Sequence, residues 1–332
     1  MALKKRIAVI GLGSIGRRHA RLLAERDDLE LELLDLDPKN VALMQETIGP
    51  RKVWATFEEL LAGKPDLAVV ATPHALHSRQ TIALLDAGID TLCEKPMSDS
   101  VADAEKMRDA QARTSRMLVI GFNMRFHPCL TTMKSRIDSG AIGRILHMHS
   151  HIGTYITLVN SGSRYQSTIE GSLVMDYAHQ PDTFYWLSSE RPSHVYASAA
   201  QTGDLPLSAK PNFVMMNCEY PSGLLSTIHL NYVQEPSRHA YEIVGSEGWL
   251  TLEILDDKGI LTMGTRKDSA VSTQIIPFIR DDMYRAEHRA FFDAVAGSRD
   301  PESPAASALV SVAVCDAAIR SWRTHERVRV LP

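Results

Sequence analysis

An α/β fold is predicted: a doubly wound parallel sheet, followed by a second α/β domain on a large, open, mainly antiparallel sheet. Three observations predict it. Residues 7–123 alternate short apolar runs with amphipathic stretches, the pattern of parallel strands joined by crossover helices. The first run, Ile7-Ala8-Val9-Ile10, feeds straight into Gly11-Leu12-Gly13-Ser14-Ile15-Gly16. Beyond residue 123 strand-like runs succeed one another without helices between them, which implies antiparallel or mixed pairing.

Element by element, the strands of the first domain are expected at 7–10, 29–35, 52–55, 66–72, 89–93 and 116–121, with helices near 15–26, 38–48, 57–62, 75–87 and 99–113. Pro38 suits a helix start, Thr56-Phe57-Glu58-Glu59 is a capping box, and Gly88 follows a helix end. In the second domain a helix begins near Pro128 and stops at Gly140, and a strand follows at 144–152. A helix near 170–188 and strands at 193–201, 212–220, 224–234 and 239–255 come next, with a hairpin turn at Pro221-Ser222-Gly223. Helices near 281–296 and 304–324 close the chain; the apolar faces formed by Phe291, Phe292 and Val295 and by Leu309, Val312 and Ile319 need a surface to cover. The predicted domains are 1–123 and 124–332, with the last helices packing back toward the first domain.

The bulk numbers fit this reading. At 332 residues, two domains are the default. Hydrophobic residues make up 44% and charged residues 23%, which argues against disorder. A net charge of −4 gives no basic excess to recruit nucleic acid or an anionic membrane. The four cysteines, Cys93, Cys129, Cys218 and Cys315, form no CxxC, so reduced thiols are expected rather than a zinc knuckle or a redox pair. The N-terminus runs into the glycine loop too early for a signal peptide, and no stretch reads as a membrane span of about 20 apolar residues. The expected location is cytoplasmic.

The glycine loop predicts a dinucleotide site. GxGxxG after a strand and before a helix, at the start of a βαβ unit, is the Rossmann fingerprint. Gly11 permits the tight turn, Gly13 admits the pyrophosphate, and Gly16 lets helix and strand pack closely. The phosphates then meet the helix N-terminus at Ser14 and Ile15. The second strand ends in Asp35, 19 residues beyond Gly16, where a carboxylate accepts the ribose hydroxyls and repels a 2′-phosphate. NAD is therefore favoured over NADP, with Asp37 the rival of Asp35. The fourth strand leads into Ala71-Thr72-Pro73-His74 at the topological switch point, so Thr72 and Pro73 are expected beside the cofactor, with His77 one turn further on.

Three further segments resemble one family. Leu92-Cys93-Glu94-Lys95-Pro96 is similar to the EKP motif of the Gfo/Idh/MocA oxidoreductases. Gly121-Phe122-Asn123-Met124-Arg125-Phe126-His127-Pro128 resembles that family's passage into its second domain, and Asp176-Tyr177-Ala178-His179-Gln180-Pro181-Asp182 its third motif. The resemblance implies a Rossmann domain followed by an α/β domain on a large open sheet. It also implies oxidation or reduction of a secondary alcohol on a sugar, sugar acid or cyclic polyol with NAD(P). It implies a homodimer or homotetramer paired through the sheet of the second domain.

Removing a hydride from a carbinol carbon requires that the hydroxyl proton also leave, so a base and a cation or donor at the developing alkoxide are needed. Lys95 and His179 suit these roles, and the resemblance gives Lys95 the substrate oxygen. Glu94 and Lys95 are also expected at the cofactor. The Lys95–Pro96 peptide is expected to be cis. Asp176 lies three residues before His179 and Asp182 three after, so on one helix all three share a face and either carboxylate can orient the imidazole. The family commonly spaces its aspartate by four, and Ala178 and Gln180 stand where a serine and a glutamate are usual.

Arg125, Tyr155, Arg164 and Tyr165 are candidates for gripping substrate, as is His127. His147, His149 and His151 share one strand face, for which a covering subunit is the preferred explanation over a metal; no metal is expected. Two rival functions stand beside the dehydrogenase. One is an NAD-dependent glycoside-processing enzyme that oxidises transiently. The other is a non-catalytic NAD-binding regulator.

Overall fold

A computed structural model describes residues 4–160 and 165–331. The chain divides into two compact units, residues 1–123 with 281–309, and residues 124–280 with 310–332. Segment 281–309, expected from the sequence in the second domain, groups with the first unit.

The first unit carries β1 (Lys5–Ile10), β2 (Leu29–Leu34), β3 (Lys52–Val53), β4 (Leu67–Val70), β5 (Asp90–Glu94) and β6 (Leu118–Gly121). They form one parallel sheet in the order β3-β2-β1-β4-β5-β6, so the order reverses between β1 and β4. This is the doubly wound topology, with its ligand crevice expected outside the carboxyl ends of the strands at that reversal. Strands β1 and β4 are apolar along most of their length because both faces are covered. Ile7, Val9, Leu31, Leu33, Leu67, Val69 and Leu92 form the core with Ala20 and Leu23 of α1 (Ser14–Leu23).

The helices α2 (Pro38–Ile48) and α3 (Phe57–Gly63) start at side-chain caps, α4 (His77–Asp86) starts without one, and α5 (Val101–Thr114) is capped by Ser100. Asp37 caps α2 by accepting the Lys39 N–H at 2.9 Å, with Pro38 in the first turn. Thr56 accepts the Glu59 N–H at 3.1 Å, and Glu59 reaches back to the Ala55 N–H at 3.3 Å. Such caps contribute about 1 kcal/mol each.

The second unit is built on a nine-stranded sheet. Its strands are β7 (Ile145–Gly153), β8 (His194–Ala200), β9 (Phe213–Glu219), β10 (Leu225–Asn231), β11 (Arg238–Gly245), β12 (Gly248–Ile254), β13 (Lys258–Thr265), β14 (Val271–Pro277) and β15 (Val328–Arg329). Their order is β14-β13-β12-β11-β7-β10-β9-β8-β15, antiparallel except for β7 against β10. The run expected as one strand over 239–255 is a hairpin, β11 and β12 turning at Ser246-Glu247.

One face of this sheet is buried, through Met148, Met216, Ile228, Tyr241, Ile243 and Leu250, beneath α6 (Pro128–Asp138), α8 (Ser172–Asp176) and α9 (His179–Ser188). The opposite face keeps Tyr196, Met215, Leu225, Val271 and Ile275 exposed and carries the half-buried histidines of β7. A short helix, α7 (Ile156–Asn160), follows β7. Two long helices, α10 (Arg280–Val295) and α11 (Ala305–Thr324), precede β15. Helix α11 corrects the membrane reading: by length and composition it meets the criterion for a span. Two-thirds of that window (67%) is buried within the fold, as befits a core helix rich in alanine and valine.

Candidate active site

The cofactor cradle lies at the carboxyl ends of β1 and β4. Gly11 has φ +87°, and a Cβ there would stand 2.7 Å from the Ala71 carbonyl oxygen. At Gly16 a Cβ would fall 1.8 Å from the Gly11 oxygen, so helix α1 can approach β1 only without one. Gly13 faces open space, with nothing within 4 Å of such an atom. No side chain caps α1, which leaves the first backbone N–H groups at Ser14 and Ile15 for an anion.

Asp35 follows β2 and accepts the Leu12 N–H at 2.5 Å and the Asp37 N–H at 2.8 Å, fixing its carboxylate beside the loop. Each carboxylate oxygen keeps acceptor capacity. Asp37, the rival, is committed to capping α2. Arg17, which no sequence motif marks, ties the Leu12 carbonyl (3.0 Å) to Asn40 (3.3 Å). An open glycine edge, an uncapped helix start and a held aspartate fit an adenine dinucleotide.

Lys95 leaves β5 at the same sheet edge, two strands from β1. Its backbone N–H donates to Glu94 Oε2 at 3.1 Å, and the Lys95–Pro96 peptide is cis. His77, expected one turn beyond the cofactor loop, is 1% exposed, with Nδ1 2.9 Å from the Pro96 carbonyl and Nε2 2.8 Å from that of Thr72. Burial pushes its pKa down, and a neutral ring donates to one carbonyl at a time. Thr72 turns its hydroxyl to Gln80 at 2.6 Å, while Pro73 is exposed.

Glu94 is also turned inward and buried, with Oε1 2.9 Å from His19 Nε2; His19 Nδ1 lies 2.7 Å from His288 Nε2. Glu287 completes this cluster: it is 0% exposed, and neither carboxyl oxygen has a hydrogen-bond partner among the described residues. Sequence reasoning missed the cluster. The one available signal was a Glu287-His288 pair within the otherwise apolar face of α10.

Desolvation, and secondarily the Glu94 charge, raise the Glu287 pKa well above its ordinary value near 4.5. A carboxyl whose pKa is raised by folding stabilises fully below its unfolded pKa. That contribution is lost as pH climbs toward the folded value, by about 1.4 kcal/mol per pH unit. Glu287→Gln should therefore flatten the fall in stability as pH rises above the ordinary glutamate value of 4.5, with the variant gaining on the parent. Parallel pH slopes in denaturant unfolding would show that Glu287 does not hold its proton.

In the second unit the structure breaks the helix expected over 170–188. Helix α8 ends at Asp176 and α9 starts at His179, because Pro181 has no N–H for the Tyr177 carbonyl. Asp176 and His179 therefore do not share one helix face. Asp176 accepts hydrogen bonds from Tyr165 Oη, from Tyr232 Oη at 2.5 Å and from Gln166 Nε2 at 3.3 Å. Burial and the Asp176 charge raise the pKa of Tyr165 well above its usual value, so it serves as a neutral donor.

Asp182, in the first turn of α9, takes Arg125 Nε at 2.9 Å and Nη2 at 2.6 Å. Both partners are buried, at 4% and 1% exposure. Arg125, a candidate for gripping substrate, is thus one half of an internal ion pair. His127 caps α6, accepting the Cys129 N–H at 3.2 Å, and burial lowers its pKa to about 4. Tyr155 is half-buried and accepts the Leu207 N–H at 3.3 Å. Arg164 lies outside the described residues. On β7, His149 stands between Thr227 and Glu242, and His151 stacks on His229 with ring centroids 4.0 Å apart.

Residues 5–122 match the family described as an oxidoreductase family with an NAD-binding Rossmann fold, and residues 130–251 match the GFO/IDH/MocA C-terminal domain. Among curated relatives, the chain is 24% identical over 280 residues to a 1,5-anhydro-D-fructose reductase of Ensifer adhaerens, covering 83% of each. It is 22% identical over 326 residues to an inositol 2-dehydrogenase of Salmonella typhimurium, covering 95% of this chain and 94% of that one. The crystal structure of GenD2 from gentamicin A biosynthesis, in complex with NAD, superposes with a TM-score of 0.86 at 21% identity, over 100% of this chain and 98% of that one. With both halves matched to one family, the doubly wound sheet and its glycine cradle have a single reading: the chain belongs to the Gfo/Idh/MocA oxidoreductases, and its first domain is their NAD-binding Rossmann fold.

Proposed function

We propose that the protein interconverts a secondary alcohol and a ketone on a sugar, sugar acid or cyclic polyol. The observation that carries this reading is the position of Lys95, leaving β5 at the edge where the glycine cradle lies. When bound there, NAD supplies the hydride acceptor or donor. Gly11, Gly13 and Gly16 set the backbone under the pyrophosphate, Ser14 and Ile15 offer it their N–H groups, and Asp35 takes the ribose hydroxyls. Thr72 and Pro73 flank the cofactor at the end of β4.

In the oxidative direction an imidazole nitrogen of His179 takes the hydroxyl proton, and Lys95 Nζ holds the oxygen as charge develops on it. In the reductive direction both steps reverse. Asp182, fixed by Arg125, and Asp176, fixed by two tyrosines, are the framework that orients the segment around His179. Tyr155, Arg164 and Tyr165 belong to the loop that selects the substrate. The relatives named above as a reductase of anhydrofructose and a dehydrogenase of inositol support the substrate class.

The exposed apolar side chains on the open face of the large sheet support pairing with further copies of the chain. Four buried free cysteines agree with a reducing, cytoplasmic setting.

The test is a panel of sugars, sugar acids and inositols assayed for NADH formation, with NADP in parallel. Net NADH from at least one cyclic polyol or sugar, with NAD preferred, is the expected outcome. Cofactor that copurifies and turns over without net NADH would instead indicate transient oxidation.

A further inference from the structure

The buried cluster around Glu94 has no part in the chemistry described so far. His19, Glu94 and Glu287 bring their ligand atoms within 4.8 Å of one another, and His288 adds a second imidazole at 2.7 Å from His19. All four residues are buried, and they come from α1, β5 and α10.

The hydrogen bonds run in one direction. The Glu94 carboxylate only accepts, so His19 Nε2 must carry the hydrogen that it receives at Oε1. In a neutral His19 ring Nδ1 is then the acceptor, and the hydrogen in that contact belongs to His288 Nε2. The far carboxylate oxygen, Oε2, accepts the Lys95 backbone N–H. On the other side of the Lys95–Pro96 peptide, the Pro96 carbonyl lies against His77 Nδ1. The chain is therefore held at the Lys95 N–H by the buried Glu94 carboxylate, and just beyond Lys95 the Pro96 carbonyl lies against the buried His77 ring. A buried polar chain of this kind is fixed in geometry, because any displacement leaves a polar group without a partner.

We propose that His19 and His288, acting through Glu94, are positioning residues for Lys95. They hold the Glu94 carboxylate so that the lysine leaves β5 in one orientation. Glu287 is the neutral member of the cluster. Two ionised carboxylates this close and this deeply buried are costly, and protonation of Glu287 leaves Glu94 as the single anion. This inference rests on the reading of Lys95 as the group that holds the substrate oxygen.

The test compares His19→Ala, His19→Gln and His288→Asn by two independent readouts. Glutamine carries one donor and one acceptor group, so it can serve Glu94 and His288 together. Hydrogen exchange of the segment spanning Lys95 is expected to quicken about tenfold in His19→Ala, as one buried hydrogen bond of about 1–1.5 kcal/mol is lost. Amides of β1 and β2 should stay protected. In steady state, His19→Ala should lower kcat about tenfold with KM for NAD within twofold. His19→Gln should recover most of both changes, and His288→Asn should fall between them.

If wild type turns over none of the panel, the reading of Lys95 fails while the exchange readout still decides the clamp. Exchange at Lys95 that matches wild type in His19→Ala, or a uniform loss of protection across the sheet, would overturn the proposal. So would a stoichiometric divalent metal in the purified protein that His19→Ala removes, since the cluster would then be a metal site.

Discussion

Lys95→Ala and His179→Ala are each expected to lower kcat by about 10²–10⁴-fold while binding of NADH persists. The magnitude follows from what each group supplies. A positioned general base contributes roughly 10²–10⁴ in rate, and a cation at a developing alkoxide in a water-poor site contributes a comparable factor. Retention of cofactor follows from the layout of the first unit. The pyrophosphate and ribose groups proposed above, Gly11 to Gly16 and Asp35, lie in the turn from β1 into α1 and just after β2, and Lys95 at the exit of β5. Fluorescence titration with NADH should give dissociation constants within a few-fold of wild type for both variants. Full turnover in either variant would remove that residue from the mechanism and leave the cofactor assignment standing. Equal loss of cofactor binding and of rate would instead point to damage in the cradle.

Features written in short, local patterns are legible in the amino-acid sequence alone. The glycine spacing, the capping box at Thr56 and the alternation of runs over 7–123 are each decided by a few neighbouring residues, and the parallel sheet follows them. Sequence patterns mislead where a distant partner decides. Arg125 reads as an available cation until Asp182, 57 positions away, is found against it. His77 reads as a neighbour of the cofactor loop, and only the fold shows its two ring nitrogens against the Pro96 and Thr72 carbonyls. His19 and His288 are 269 positions apart, and no periodicity connects them.

Three strands, β13, β14 and the two-residue β15, escape sequence reading for a different reason. In β13 two of the buried positions are glycines, Gly259 and Gly264, so its burial alternates while its sequence does not, and β14 is an edge strand exposed along nearly its whole length. The break before His179 does carry a local signal. Pro181 sits in the first turn of α9, where proline is tolerated, and so fixes the start of that helix at His179.

Arg125→Ala is expected to destabilise the second unit by about 3–5 kcal/mol, because it strands the Asp182 carboxylate in a site from which water is excluded. For a unit of this size that corresponds to a drop of roughly 10 °C in melting temperature. The cost arises from the charge left behind rather than from the worth of the pair. Two ions taken out of water lose solvation comparable to the attraction they gain, so a well-packed apolar pair can replace them at little cost. The double variant Arg125→Met with Asp182→Leu should therefore recover most of the loss, and the coupling between the two sites should be strongly non-additive. Asp182 lies in the first turn of α9, three residues after His179, so the double variant also asks what the ion pair contributes beyond stability. If the pair holds the start of α9 for the His179 imidazole, the double variant melts near wild type yet turns over more slowly. A double variant that recovers both melting and rate would reduce the Arg125–Asp182 pair to a packing element. Melting curves and kcat measured on the same preparations separate these outcomes.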